Sequence, residues 1–191
     1  MKDEIVPAEH AHWAPIPLGQ DPEVIRQQYA AAFSATTPSA DVYAAAIAGV
    51  ATQLQESPGD GTVNLAAWAR VRTPNEIDVL GYATLRVSPL AEGATRDDVL
   101  AMLTDGQELY TEPLVGDLAT SSGDALTVRV RPLVRAEDGQ VEVHQVNAVV
   151  WARPEHQAVF TLTSYETDLV EAVPAGDLLD ELAVGIAGME P

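Results

Sequence analysis

The sequence predicts an α+β protein, with a single, mainly antiparallel sheet of five to six strands flanked by helices. Three observations lead there. Residues 63–71 and 79–87 alternate apolar and other side chains with period two on either side of a turn. Residues 126–135 and 141–152 flank Glu137-Asp138-Gly139-Gln140, and Asp-Gly is a strong hairpin signal. The remaining apolar segments have helical spacing and recognisable caps. Strands joined by hairpins run antiparallel, which separates this pattern from a parallel sheet built of alternating strands and helices.

The elements follow in chain order. Residues 1–12 read as a flexible N-terminal arm, and residues 13–191 as a single domain, because no linker-like stretch divides them. Trp13 to Leu18 carries prolines at 15 and 17 and is expected to be extended. Asp21 should cap a helix that has Pro22 at its first position and Ile25, Tyr29, Ala32 and Phe33 as its stripe. Ser39 should cap a second helix, with Tyr43, Ile47, Val50 and Leu54 inward, which Ser57-Pro58-Gly59-Asp60-Gly61 stops. The hairpin 63–87 turns at Thr73-Pro74-Asn75-Glu76 and has one apolar face, made by Val63, Leu65, Ala67, Ala69 and Val71 on its first strand.

Thr95 and Asp98 form a capping box for a short helix through Leu103, and Gly106 ends it. Pro113 and the stretch from Gly116 to Gly123 allow at most a short strand near Leu114 and Val115. With two-residue loops at both turns, Val143, Val149 and Trp151 would share a face with Val128, Val130, Ala158, Phe160 and Leu162. A last helix, capped by Asp177, carries Leu178, Leu182 and Ile186, with Leu179 on its flank.

Composition excludes several functions. Ten basic and 29 acidic residues give a net charge of −19, a field that repels a nucleic-acid backbone. Without cysteine there is no disulfide, thiolate metal site or cysteine nucleophile. The N-terminus lacks the apolar core of a signal peptide, and no run is long enough to span a membrane, so a cytoplasmic protein is expected. Nine arginines against one lysine, with abundant alanine, suggest a GC-rich bacterial genome.

Motifs for cofactors are absent: there is no dinucleotide fingerprint, phosphate loop or nucleophile elbow. Gly59-Asp60-Gly61 is a turn too short to cradle a phosphate. Glu9-His10-Ala11-His12 is the one metal-like cluster, and it offers too few ligands on too loose a segment. His144 and His156 show no acidic partner at fixed spacing. The acidic pairs Asp97-Asp98 and Asp180-Glu181 suit helix N-termini, and Glu137-Asp138 suits a hairpin loop. No cofactor, metal site or catalytic residue is therefore expected.

Charge distribution is more informative. Residues 97–124 hold seven acids and no base. Arg70, Arg72, Arg86, Arg129, Arg131 and Arg135 lie on expected strands. By parity they fall opposite the apolar alternation, together with Tyr82, Thr84, Thr161, Thr163 and Tyr165. Two readings stand side by side. The face could bind an anion or an acidic partner, or the arginine stems could pack under helices and pair with the surplus acids. The candidate binding residues are Arg70, Arg72, Tyr82, Arg86, Arg129 and Arg131.

Leu126-Thr127-Val128-Arg129-Val130 leads to Val146-Asn147-Ala148-Val149-Val150-Trp151, then to Phe160-Thr161-Leu162-Thr163-Ser164-Tyr165 and the helix from Leu178 to Ile186. This succession resembles the closing β-β-β-α of Mog1/PsbP-like domains, especially actinobacterial proteins of that type. Trp13 with Ile16-Pro17-Leu18 before a helix is similar to the same group, whereas the last helix lacks the group's usual aromatic. The resemblance implies an α/β/α sandwich serving as a non-catalytic binding or adaptor module with an unknown protein partner. It carries over no catalytic residue. A small anionic-ligand binder using the Arg/Tyr/Thr face is the alternative, and an enzyme without a recognisable motif comes last.

Overall fold

The computed structural model describes residues 11–35, 37–55, 61–73, 76–104, 106–136 and 138–188. The chain opens with a short strand, β1 (Trp13–Ile16), held in extended form by its proline and by pairing with β2 (Val63–Thr73). Two helices follow, α1 (Pro22–Phe33) and α2 (Ala40–Gln55). The Asp21 carboxylate accepts the Glu23 backbone N–H at 2.8 Å, so the expected cap forms. On α2 the buried stripe is Ala40, Ala44, Ile47, Ala48 and Ala51, with Tyr43, Val50 and Leu54 only half-buried. Small side chains let α2 approach closely, which displaces its larger apolar residues to the flank. The stop expected after α2 falls on residues 56–60, outside the described residues, as do the first ten residues of the arm.

β2 turns into β3 (Glu76–Pro89), with Thr73 opposite Glu76; Pro74 and Asn75 between them lie outside the described residues. Next comes α3 (Arg96–Thr104), whose capping box is present: Asp98 accepts the Thr95 N–H at 2.7 Å and donates its own to the Thr95 hydroxyl at 3.3 Å. Then follow β4 (Leu114–Thr120), β5 (Gly123–Val130), β6 (Leu133–Arg135), β7 (Val141–Val143), β8 (Gln145–Arg153), β9 (Ala158–Glu166) and α4 (Leu169–Gly185). The main sheet is antiparallel with seven strands in the order β1-β2-β3-β9-β8-β5-β4, and β6 and β7 form a separate ribbon.

This is the expected α+β class with a larger sheet. The additional strands are the two edges. β4 runs from Leu114 through Thr120 where only a short strand was expected, and a tight turn pairs Thr120 with Gly123. As an edge strand it is mostly exposed, so it carries little of the apolar alternation that marks inner strands. Gly116 belongs to β4 because a Cβ there would lie 2.8 Å from the Thr127 hydroxyl of β5.

Parity is corrected at one turn and holds at the other. Arg135 pairs with Val141 across residues 136–140, an odd number, and the same register continues between β5 and β8. Val128 therefore faces Ala148, not Val149. At the second turn an even loop leaves Trp151 beside Phe160 and Val149 beside Leu162, as expected. Phe160 is half-buried there, packed against the core but not enclosed by it.

Helices cover both faces, giving a helix–sheet–helix layering. Against α4 pack Trp13, Trp68, Leu85, Val149, Trp151 and Leu162, meeting Leu179, Leu182 and Ile186. On the other face α1 and α2 meet Ala67 and Ala69, while Val99 of α3 meets Val128, Val130, Ala148 and Val150. β2 is thus buried on both sides, which corrects the expected single apolar face. The Trp13 indole donates to the Leu178 carbonyl at 3.0 Å and that of Trp151 to the Thr120 hydroxyl at 2.9 Å.

α4 begins at Leu169, capped by Asp168 and not by Asp177, and it contains Pro174. Pro174 lacks the N–H that the Val170 carbonyl would accept, but one missing bond near the helix start is offset by the buried stripe Ala172, Ala175, Leu179 and Leu182. Leu179 is central and Leu178 flanking, the reverse of the expectation. Among the described residues no helix is long and apolar enough to cross a membrane.

Candidate functional site

The six candidate residues do not share one face. β2 changes register between Asn64 and Ala66 and again between Arg70 and Val71, so strict parity does not carry along it. Tyr82 packs against the α1–α2 core, and Arg86 is exposed on β3. Arg72 pairs with Asp78 at 3.2 Å, and Asp78 also accepts the Tyr43 hydroxyl at 2.7 Å. That hydroxyl first, and Arg72 second, hold the Asp78 carboxyl below its usual range. Arg70 and Arg129 remain on the sheet face beneath α4, while Arg131, expected on a strand, follows the end of β5. Arg135 belongs to the separate ribbon.

Arg70 is enclosed. Its side chain is 2% exposed and meets Glu166 at 2.9 Å and Glu171 of α4 at 3.6 Å. Burial raises the Glu166 carboxyl above its usual value, with Arg70 pulling the other way.

Arg129 is held by α4. It donates to the Gly176 carbonyl at 3.0 Å and to Asp180 at 2.6 Å, so Asp180 sits in mid-helix as an ion-pair partner and not at a helix start. Gly176 makes this possible, because a Cβ would stand 2.8 Å from the arginine Nε. From Glu166 a polar chain runs under the helix. Ser164 bonds Glu166, Asn147 donates to Ser164 at 3.2 Å, and Gln145 donates to Asn147 at 2.8 Å. Gln145 then accepts Arg131 Nε at 3.1 Å.

Arg131 lies at the open end of that chain. It lines a cavity of about 650 Å³ with Thr111, Glu112, Leu114, Arg129, Gln145, Val173 and Asp177. Its guanidinium is oriented by buried Gln145, which also donates to the Ala172 carbonyl at 3.2 Å. Among the described residues it forms no ion pair, and the same holds for Glu112 and Asp177 across the cavity. The apolar walls are Leu114, 69% exposed, and Val173, 59% exposed. A preset guanidinium, two unpaired carboxylates and bare aliphatic walls in one concavity suit a small amphipathic ligand. Of the candidate arginines, Arg129 and Arg131 converge on this cavity; Arg70, Arg72 and Arg86 do not line it.

A second polar constellation gave no clear sequence signal beyond its spacing. His144 is buried and its Nε2 lies 2.9 Å from Glu142, two residues earlier. A carboxylate accepts, so Nε2 is the donor toward Glu142, and Nδ1 hydrogen-bonds the Tyr165 hydroxyl. The Tyr165 phenol is raised above its usual value by burial and then by Glu142, so it keeps its proton at neutral pH and is no ready base. His156 is exposed on a short 3₁₀ turn, Pro154–His156. Of the metal-like cluster, Glu9 and His10 lie outside the described residues, and His12 contacts the Arg72 carbonyl at 3.0 Å. No group of three metal-ligating side chains occurs among the described residues.

No protein-family model and no curated protein matches this chain.

Proposed function

We propose that this protein is a non-catalytic binding module that captures a carboxylate-bearing ligand in the cavity under α4, with Arg131 as the receiving group. One observation carries the reading. Arg131 is tethered through Nε to a buried glutamine, lines a 650 Å³ cavity, and has no side-chain partner for its terminal nitrogens among the described residues. A guanidinium oriented in advance loses little freedom on accepting a bidentate carboxylate. The cavity size falls in the range of small-ligand sites, which favours the anionic-ligand alternative over a protein partner. The layering of helices on both sheet faces supports the Mog1/PsbP-like resemblance as part of the same proposal. A cytoplasmic, bacterial setting belongs to the same proposal, as does the lack of a nucleic-acid partner, which a net charge of −19 favours.

The test is an amide-resonance titration with N-acetyl-leucyl-leucine, an apolar peptide ending in a carboxylate. Shifts should gather at Thr111, Leu114, Arg131, Gln145 and Val173, and should vanish in Arg131→Met. Shifts elsewhere, or shifts that survive Arg131→Met, would overturn the reading.

A further inference from the structure

We infer that the occupant of this cavity is a zwitterion: a small molecule carrying a carboxylate and a primary ammonium on either side of an apolar body, as a free dipeptide does. The inference rests on the carboxylate reading above and adds the second charge to it.

The charges around the cavity set the terms. Arg129 and Asp180 neutralise each other at 2.6 Å and can be set aside. What remains is Arg131 on the β5 side, with Glu112 ahead of β4 and Asp177 on α4. None of the three is engaged in an ion pair among the described residues. The cavity therefore offers one positive and two negative unpaired groups. A purely anionic ligand would satisfy Arg131 while bringing its charge toward Glu112 and Asp177, and the protein's overall −19 would add to that repulsion. A purely cationic ligand would leave Arg131 facing a second cation. A ligand carrying both charges meets each group with its complement, and such a match selects a partner more through the penalties on wrong ones than through raw affinity.

The apolar requirement comes from Leu114 and Val173. Both are large aliphatic side chains left mostly exposed, one on the edge strand and one on the outer side of α4, and both face the cavity. Placed between them, an aliphatic body would remove both from water. At about 650 Å³ the space exceeds what a single free amino acid fills and suits two residues, so a dipeptide is the natural probe.

The experiment measures binding of three forms of one compound by calorimetry: leucyl-leucine, its N-acetyl derivative and its C-terminal amide. The free dipeptide should bind about tenfold or more tightly than either blocked form, each of which loses one charge-assisted contact. In a Glu112→Gln, Asp177→Asn double variant the free and N-acetyl forms should bind alike. Both positions are exposed, and an unchanged melting curve would show that the variant folds.

Equal affinity of the free and N-acetyl forms for the wild type would overturn the zwitterion inference and leave the carboxylate reading standing. So would a preference for the free form that survives in the double variant. Equal affinity of the amide and the free dipeptide would overturn the carboxylate reading, and the inference with it. Binding of none of the three would overturn both.

Discussion

Arg70 lies on β2 and Arg131 just past the end of β5; the two strands are four positions apart in the sheet, or roughly 19 Å at the usual spacing, and both arginines lie near α4. Their surroundings differ completely. At Arg70 the end of β9 supplies Glu166 and the first turn of α4 supplies Glu171, and the guanidinium is sealed off from water. At Arg131 the helix contributes Val173 and Asp177 to a rim and not a roof, and β4 begins only at Leu114. The same residue type is a structural counter-ion in one place and, at the edge of a cavity in the other, is free of any ion pair among the described residues. What decides between them is how the helix crosses the strands and where its acids land, neither of which strand parity encodes.

The sharpest break of this comparison is to remove each arginine in turn, and the larger effect belongs to Arg70. Arg70→Met should cost about 3–5 kcal/mol, because Glu166 would be left buried without its main partner. The double variant Arg70→Met, Glu166→Leu should recover most of that loss, since a buried pair is often replaceable by apolar volume. Urea unfolding reads both. A loss under about 1 kcal/mol for the single variant would mean that this end of the sheet is as open as the other.

Between the two extremes stands Arg129, and Gly176 tests it. Gly176→Ala would press a methyl against the Arg129 Nε, at a cost of about 1–3 kcal/mol typical of overpacking. In an Arg129→Ala background the same change should be close to neutral, because alanine favours the helix by about 1 kcal/mol over glycine. If the two substitutions simply add, the arginine does not run beneath the helix at that point.

The pH response at Arg70 is smaller, because Arg70 opposes the burial effect on Glu166. The folded-state Glu166 pKa is raised, so over the range just above the ordinary carboxylate value the folded protein holds a proton that the unfolded chain has lost. Its contribution is fully present below the unfolded value and is lost as pH rises through the folded one. The stability of the wild type relative to Glu166→Gln should therefore increase as pH falls from 8 toward 5. Asp78 and Asp98 behave in the opposite sense: their lowered values give stability that is present at neutral pH and lost in acid. A difference between wild type and Glu166→Gln that is flat over this range would show that the burial penalty and Arg70 cancel.

Much of the fold is legible in the sequence because local chemistry specifies it. Asp21-Pro22 starts α1, the Thr95–Asp98 box starts α3, and the even loop before β9 keeps Trp151 and Phe160 on one face. The failures come from features that are not local. The odd loop at 136–140 reverses the parity of β5, the register shifts in β2 separate Arg70 from Arg72, and β4 is an edge strand with little to bury. Asp177 was expected to cap the last helix, yet α4 starts eight residues earlier and runs through Pro174 and Gly176. Its Gly176 serves a close approach to Arg129 and its Ala172 carbonyl anchors Gln145. The candidate site was half legible for the same reason. Arg129 near the end of β5 and Arg131 just past it are two residues apart and stay together, whereas Glu112, Val173 and Asp177 reach them only through tertiary packing. Glu142, two residues before His144, is its acidic partner, which corrects the expectation of none; only the fold shows that the imidazole is buried against it.

The smallest expected effect is the most discriminating. Arg131→Met should change stability by about 1 kcal/mol or less, because the variant gives up a single hydrogen bond, from the guanidinium Nε to the Gln145 amide oxygen, and no ion pair among the described residues. The Gln145 oxygen that loses its donor faces a cavity open to solvent, so water can replace the guanidinium without leaving a buried acceptor unsatisfied. Methionine keeps the aliphatic length that lies along the cavity wall, which isolates the charge from the packing. Urea unfolding of Arg131→Met and Arg70→Met under the same conditions should therefore separate them by at least about 2 kcal/mol. A loss near that of Arg70→Met would place Arg131 in a closed structural pair. The cavity would then be a consequence of packing, and its arginine would have no free face to offer a ligand.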